Sequence, residues 1–335
     1  MAIRVLVLVD HAGHSKENSA YSLSKALFRH PEVDQVLVAS RSTPENASFF
    51  FSCDSISIKA ITVHSDFAFD PSGAQFNEMV GPFKSIHEFD LILLRLPHPI
   101  HLPFFNYLET QFDPSRIINR PSAIRITGSK DFLLHVSEVC PPMRLCRSLT
   151  DVISFHDKYD LVLKPLRSYG GVGLFKLQNG MLVSEKGETF PLTDGGHLFS
   201  HQFENGGILA MKYLSNVNQG DKRIVVVNGK VAAASLRLPA PGSWLCNVSQ
   251  GGISQGSDIT PRESYIANFV HAKIGAMGIG IFGMDTLVDD DGERVLSEIN
   301  TLSVGGIGPM DIQHQRSVSD MVAAETIHYF KQNAK

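Results

Sequence analysis

Two apolar runs close to the C-terminus, IGIFGMDTLVD and ERVLSEI, flank Asp289-Asp290-Asp291-Gly292, and this pairing constrains the chain more than any other segment. Apolar runs separated by a short Asp/Gly turn form a β-hairpin. On such strands residues two apart share a face, so Glu298 and Asn300 point the same way. With the strands in register, Asp285 lies beside that face on the neighbouring strand. The hairpin would thus gather carboxylate and amide oxygens with no Cys or His, a hard donor set suited to Mg²⁺ bridging protein carboxylates to nucleotide phosphates. The segment alone also fits an ordinary hairpin with polar residues at its ends.

At 335 residues the chain exceeds the size of a single core, so two or three subdomains are expected. Hydrophobic residues make up 43% and charged residues 19%, and the net charge is −4 with no long basic run. This argues against nucleic acid or an anionic membrane as the main partner. Ile3 to Val9 is apolar but ends at Asp10, too short for a signal-peptide core, and it reads as a buried parallel strand. No apolar run approaches the roughly 20 residues needed to cross a bilayer. Cys53, Cys140, Cys146 and Cys246 show no CxxC spacing and read as reduced thiols of a cytoplasmic protein.

The first third alternates strands and helices: strand 3–9, helix Ser19 to Arg29, strand 35–39 and strand 90–95. That order predicts a doubly wound parallel sheet. The proline-dense tract Arg95-Leu96-Pro97-His98-Pro99 leaves the carboxyl end of a strand, where open α/β sheets bind ligands; a stiff surface loop is the other reading. Asn18 and Ser19 either meet substrate or cap the following helix, with capping favoured. Further along, Ser122 to Val136 reads as a helix carrying Lys130, and helices are expected over 261–277 and 311–332. Asn228-Gly229 marks a two-residue hairpin turn.

The second chemical segment is Lys164-Pro165-Leu166-Arg167-Ser168-Tyr169-Gly170-Gly171-Val172-Gly173. A strand-end lysine precedes glycines whose backbone N–H groups can approach phosphate closely. No GK[ST] follows, and strand-like LFKL follows where a dinucleotide fingerprint needs a helix. A plain hairpin turn stays open. The third segment holds Asp221, Arg223 and Arg237, with Asn247 shortly after; arginine suits bidentate clamping of carboxylate or phosphate.

Taken together, LVLKPLRSYGGVGLFKL, GDKRIVVVNGKV and GMDTL…LSEIN resemble the corresponding segments of the ATP-grasp ligases, and within them of bacterial glutathione synthetase. The resemblance runs from the first strand to about residue 310 and is strongest between 160 and 300. It implies an α/β and α+β architecture: an N-terminal doubly wound domain (1–121), a small lid domain (122–206) and a C-terminal catalytic domain (207–335). It implies ATP with Mg²⁺, two ions being expected and Mn²⁺ an alternative. Lys130 and Lys164 would meet the ATP phosphates, and Gly170, Gly171 and Gly173 would form the lid loop. Met211, Lys212, Tyr213 and Leu214 would line the adenine, with Asp221 in the nucleotide pocket. Asp285, Glu298 and Asn300 match the family's metal ligands. Arg237 would stabilise the acyl phosphate, and Arg223 would grip a substrate carboxylate. Asn247, Ser303, Gly305 and Gly306 are the remaining substrate candidates.

The activity implied is joining γ-glutamylcysteine to glycine with ATP, by a homo-oligomer whose partners are small molecules. Another ATP-grasp ligase with a different substrate pair, or a nucleotide-binding regulator that has lost catalysis, is the alternative. Several positions depart from the family. Met211 stands where a polar residue usually faces adenine, and Trp244-Leu245-Cys246 replaces a stretch that tends to carry an arginine. Leu96-Pro97-His98-Pro99 has a histidine where acids are usual, and Thr301-Leu302-Ser303 lacks the family's proline.

Overall fold

In the computed structural model, which describes residues 2–99, 101–246 and 252–334, the N-terminal strands form a five-stranded sheet. Its order is Ile61–Thr62, Val33–Ser40, Ile3–Val9, Leu91–Leu94, Ile117–Ile118. The last four pair in parallel, and Ile61–Thr62 runs antiparallel at the edge. Ile3–Val9 sits near the middle, packed from both sides, which is why it reads as an unbroken apolar run. Helix Ser19–Arg29 buries Ala20, Leu23, Ala26 and Leu27 at three- and four-residue spacing. Asn18 accepts the Ala20 N–H at 2.9 Å, so the structure shows the capping role.

The helix expected over 122–136 is broken. An α-helix covers Pro121–Thr127, and a separate 3₁₀ segment covers Lys130–Val139. Between them, a Cβ on Gly128 would stand 2.7 Å from the Ile124 carbonyl, and the break lets the Lys130 N–H donate to Leu166 O at 2.9 Å. Lys130 is thereby fixed beside the glycine loop instead of on a continuous helix.

The middle sheet is antiparallel, with six strands in the order Thr189–Pro191, Met181–Ser184, Phe175–Gln178, Leu161–Pro165, Ile208–Lys212, Met143–Cys146. The division read at 206/207 cuts this sheet, because Ile208–Lys212 lies between two of its strands. Gly206 and Gly207, at φ +105° and +114°, make a turn into that strand and not a linker. We place the division after Lys212. The sheet packs its own small core of Cys146, Leu161, Leu163, Leu177, Leu182, Phe199, Ile208 and Ala210.

The C-terminal sheet is also antiparallel, ordered Ile253–Ser257, Lys230–Leu238, Asp221–Val227, Ile281–Val288, Arg294–Asn300. Asn228 and Gly229 both take left-handed backbone, as a two-residue hairpin turn requires. The two expected C-terminal helices appear as Pro261–Ile274 and as the pair Ile307–Gln313 and Val318–Asn333. This sheet shares its core with the N-terminal one: Leu6, Leu8, Ile92 and Leu94 cluster with Ile224, Phe282, Met284 and Leu296. Asn119 pins the two together, donating to Ile281 O and Thr301 O at 2.5 Å and accepting the Gly280 and Ile281 N–H groups. Among the described residues no helix is long and apolar enough to cross a membrane.

Candidate active site

A cleft of about 710 Å³, counting its open mouth, lies between the middle and C-terminal sheets. Val162, Lys164 and Met211–Leu214 form one wall; Asp221, Arg237, Asp285, Leu287, Ser297 and Glu298 form the other. Leu174 and Trp244–Cys246 close its apolar sides.

The polar wall is set by the C-terminal hairpin. Asp285 pairs across the strands with Glu298, and Gly283 with Asn300, which brings the three expected metal ligands to one face. The register then shifts: Thr286 pairs with Leu296, leaving Ser297 as the extra residue of a bulge. Ser297 Oγ donates to Asp285 O at 3.0 Å, and its carbonyl accepts Lys164 Nζ at 3.0 Å. Sequence reading missed Ser297; a bulge leaves no compositional mark.

Asp285 is buried and held by two arginines. Arg223 makes a bidentate contact with it, one arm at 2.8 Å, and Arg237 Nη2 lies 3.0 Å from Oδ2. Arg237 also clamps Asp221 through Nε at 2.7 Å and Nη2 at 2.5 Å. Burial acts to raise the Asp285 carboxyl, and the Arg223 and Arg237 guanidiniums overcome it, holding it well below the usual carboxylate range. Asp221 moves the other way, raised by burial against Arg237 and by the neighbouring Asp285 charge. Arg223, proposed from sequence to grip substrate, is thus committed to Asp285 and does not line the cleft.

Lys164 is pushed below its ordinary value by burial, with Lys130 adding to the effect against the pull of Glu298. Lys130, also lowered by burial, donates to Ser168 O and lies 3.8 Å from Glu298 Oε1. It lines a smaller pocket of about 270 Å³ with Tyr169, and Glu298 borders both spaces. Gly170, Gly171 and Gly173 all have positive φ, between +67° and +83°, a backbone that other residues rarely adopt. Tyr169, in the same loop, stacks on His98 of the proline tract, and its hydroxyl donates to Gly128 O at 2.8 Å. Burial, with help from Lys130 and Arg167, takes His98 down to about 4, so the imidazole is neutral.

Met211 is buried in the cleft wall, whereas the Lys212 ammonium turns away to Asp290 at 2.7 Å. Tyr213 and Leu214 line the cleft. Ser303, Gly305 and Gly306 do not; Ser303 Oγ reaches Arg95 O at 3.4 Å, against the N-terminal sheet. Asn247 lies outside the described residues.

The donor set suits a hard divalent cation. Among the described residues Glu298 makes only the long Lys130 contact, and Asn300 Nδ2 is buried with no hydrogen-bond partner. Half a turn of that amide presents its carbonyl oxygen in the same place. Among the described residues no three His, Cys, Asp or Glu converge on a point, so the amide is an essential member. The residues therefore fit a hard divalent cation, which Glu298 and Asn300 would hold with Asp285 beside them.

A cleft between two antiparallel sheets, with lysines on one lip and carboxylates on the other, defines the ATP-grasp class. The solved D-cycloserine synthetase DcsG shares this fold, with a TM-score of 0.61 at 13% identity, covering 96% of this chain and 99% of that one. The chain belongs to the prokaryotic glutathione synthetase ATP-grasp family, whose profile matches residues 129–316. Glutathione synthetase of Pseudomonas aeruginosa is 30% identical over 244 residues, 71% of this chain and 72% of that protein. That of Bradyrhizobium diazoefficiens is 29% identical over 228 residues, 67% and 68% of the two chains. Membership makes the protein an ATP- and divalent-metal-dependent ligase that forms carbon–nitrogen bonds.

Proposed function

We propose that the chain is a glutathione synthetase, joining γ-glutamylcysteine to glycine with release of ADP and phosphate. The observation that carries this is the cleft wall: Glu298 beside an Asp285 held between two arginines, facing a buried lysine, with Asn300 behind it on the same face of the hairpin. A carboxylate is a poor acyl donor because oxide is a poor leaving group. Transfer of the γ-phosphoryl group onto it gives an acyl phosphate, which an amine attacks with loss of phosphate.

Arg237 is placed to turn from Asp221 and Asp285 toward the transferring phosphoryl group and then the tetrahedral adduct. Lys164 and Lys130 neutralise phosphate oxygens from the lid side, and the 170–173 loop closes over them with its N–H groups. The apolar Met211, Leu174 and Leu287 exclude water, which would otherwise hydrolyse the acyl phosphate. Mg²⁺, held by Glu298, Asn300 and Asp285, would supply charge neutralisation between the phosphates; we expect two ions, with Mn²⁺ able to substitute. The thioether of Met211 is a weak acceptor, so adenine selectivity rests on main-chain groups. We place the enzyme in the cytoplasm as a homo-oligomer acting on small molecules.

The test is ADP release by the purified protein with ATP and Mg²⁺ across a matrix of carboxylate donors and amine acceptors, with products identified by mass. Turnover confined to γ-glutamylcysteine with glycine establishes the reading. Turnover only with another pair reassigns the substrate while keeping the ligase chemistry.

A further inference from the structure

The glycine loop that follows Pro165 carries little packing of its own. Val172 is 59% exposed, a Cβ on Gly170 would meet nothing within 4 Å, and Gly170, Gly171 and Gly173 all keep positive φ. Glycines have the most backbone freedom to lose, so ordering such a loop around phosphates opposes binding.

Tyr169, at the head of the glycines, is held on three sides. Its ring stacks on the His98 imidazole, with centroids 3.4 Å apart and planes 12° from parallel. Its hydroxyl donates to Gly128 O at 2.8 Å, and the Lys130 ammonium lies 5.1 Å from the ring centroid. Lys130 in turn donates through its backbone N–H to Leu166 O at 2.9 Å and through Nζ to Ser168 O. One side chain thus ties the loop both to the proline tract of the N-terminal sheet and to the break between Pro121–Thr127 and Lys130–Val139.

The platform on the N-terminal side is stiff for a covalent reason. Pro97 and Pro99 restrict the backbone on either side of His98, and Leu96 is buried. Burial leaves both rings uncharged at neutral pH, with His98 at about 4 and Tyr169 at about 12. Two neutral rings stack without the desolvation cost that an imidazolium would add beside Lys130. All these contacts are made between protein groups, so none needs a nucleotide to form.

We propose that His98 and Tyr169 are positioning residues of the nucleotide site. Their stack holds the glycine loop and Lys130 in place ahead of ATP, so the N-terminal sheet raises nucleotide affinity without touching the nucleotide. This rests on the phosphate role given above to Lys130 and the loop, and not on which carboxylate and amine are joined.

The experiment measures binding of adenylyl imidodiphosphate, a non-hydrolysable ATP analogue, with Mg²⁺ by calorimetry. The proteins are wild type, His98→Ala, Tyr169→Ala, the double variant and Tyr169→Phe. Each alanine variant should bind about five- to tenfold more weakly, the scale of an aromatic stack. The double variant should match Tyr169→Ala within about twofold, because both substitutions remove one contact. Tyr169→Phe keeps the ring and should stay within about threefold of wild type. Wild-type affinity in His98→Ala, or losses that multiply in the double variant, overturns the proposal. Tighter binding in either alanine variant also overturns it, since the stack would then be an obstruction. Trypsin gives a second readout without nucleotide, because Arg167 is exposed and lies two residues from Tyr169. Cleavage after Arg167, identified by mass, should be at least about fivefold faster in both alanine variants and near the wild-type rate in Tyr169→Phe. Unchanged cleavage in the alanine variants overturns the proposal. A wild type that binds no analogue defeats the phosphate reading and the proposal with it, whereas binding unchanged by His98→Ala defeats the proposal alone.

Discussion

The cleft and the carboxyl end of the N-terminal sheet handle buried charge in opposite ways. In the cleft, Asp221, Arg237, Asp285 and Arg223 form a chain in which each charge faces an opposite one. At that carboxyl end, the Arg95 guanidinium donates to the Val304 carbonyl and meets no carboxylate among the described residues. The first arrangement is stable without ligand and must be partly undone when phosphates arrive. The second leaves the Arg95 Nε without a hydrogen-bond partner among the described residues. Removing a charge should therefore destabilise the cleft more than Arg95→Met destabilises the N-terminal sheet.

Glu298→Gln should give the largest effect, a loss of turnover of about 10³-fold or more with the melting temperature little changed, read by ADP release and calorimetry. Near-normal activity in that variant would remove the metal assignment. Asp285→Asn should cost about 3–5 kcal/mol of stability as well as activity, because it leaves Arg223 and Arg237 buried without their shared anion. Denaturant titration measures this, and a neutral result would break the contrast with Arg95→Met.

The same pair sets a pH dependence. Because the folded Asp285 carboxyl lies below its unfolded value near 4, its contribution is fully present above about pH 4 and fades as the pH falls further. The stability gap between wild type and Asp285→Asn should hold steady from pH 7 to 5 and narrow below about pH 4. The smallest effect belongs to Met211→Gln, which should lower the KM for ATP by no more than about threefold while leaving that for the donor unchanged.

The hairpin carrying Asp285, Glu298 and Asn300 was legible because alternation and a turn together fix which residues share a face. The glycine loop and both lysines were legible as types, though the helix assumed to carry Lys130 is broken at Gly128. The bulge at Ser297 was hidden, since one extra residue changes no pattern of hydrophobicity. The pairing of Arg223 with Asp285, 62 residues apart, was hidden as well, because it depends on three-dimensional register. Ser303, Gly305 and Gly306 were read as substrate candidates, yet they lie outside the cleft, and Ser303 bonds the backbone of Arg95, which the sequence showed only as the first residue of a proline tract.

The most direct test of the central claim follows oxygen. With ¹⁸O in the cysteine carboxylate of γ-glutamylcysteine, an acyl phosphate requires one labelled oxygen to leave with each phosphate released. The account predicts one ¹⁸O per phosphate alongside unlabelled ADP. Unlabelled phosphate, with the label kept in the donor or product, would contradict it.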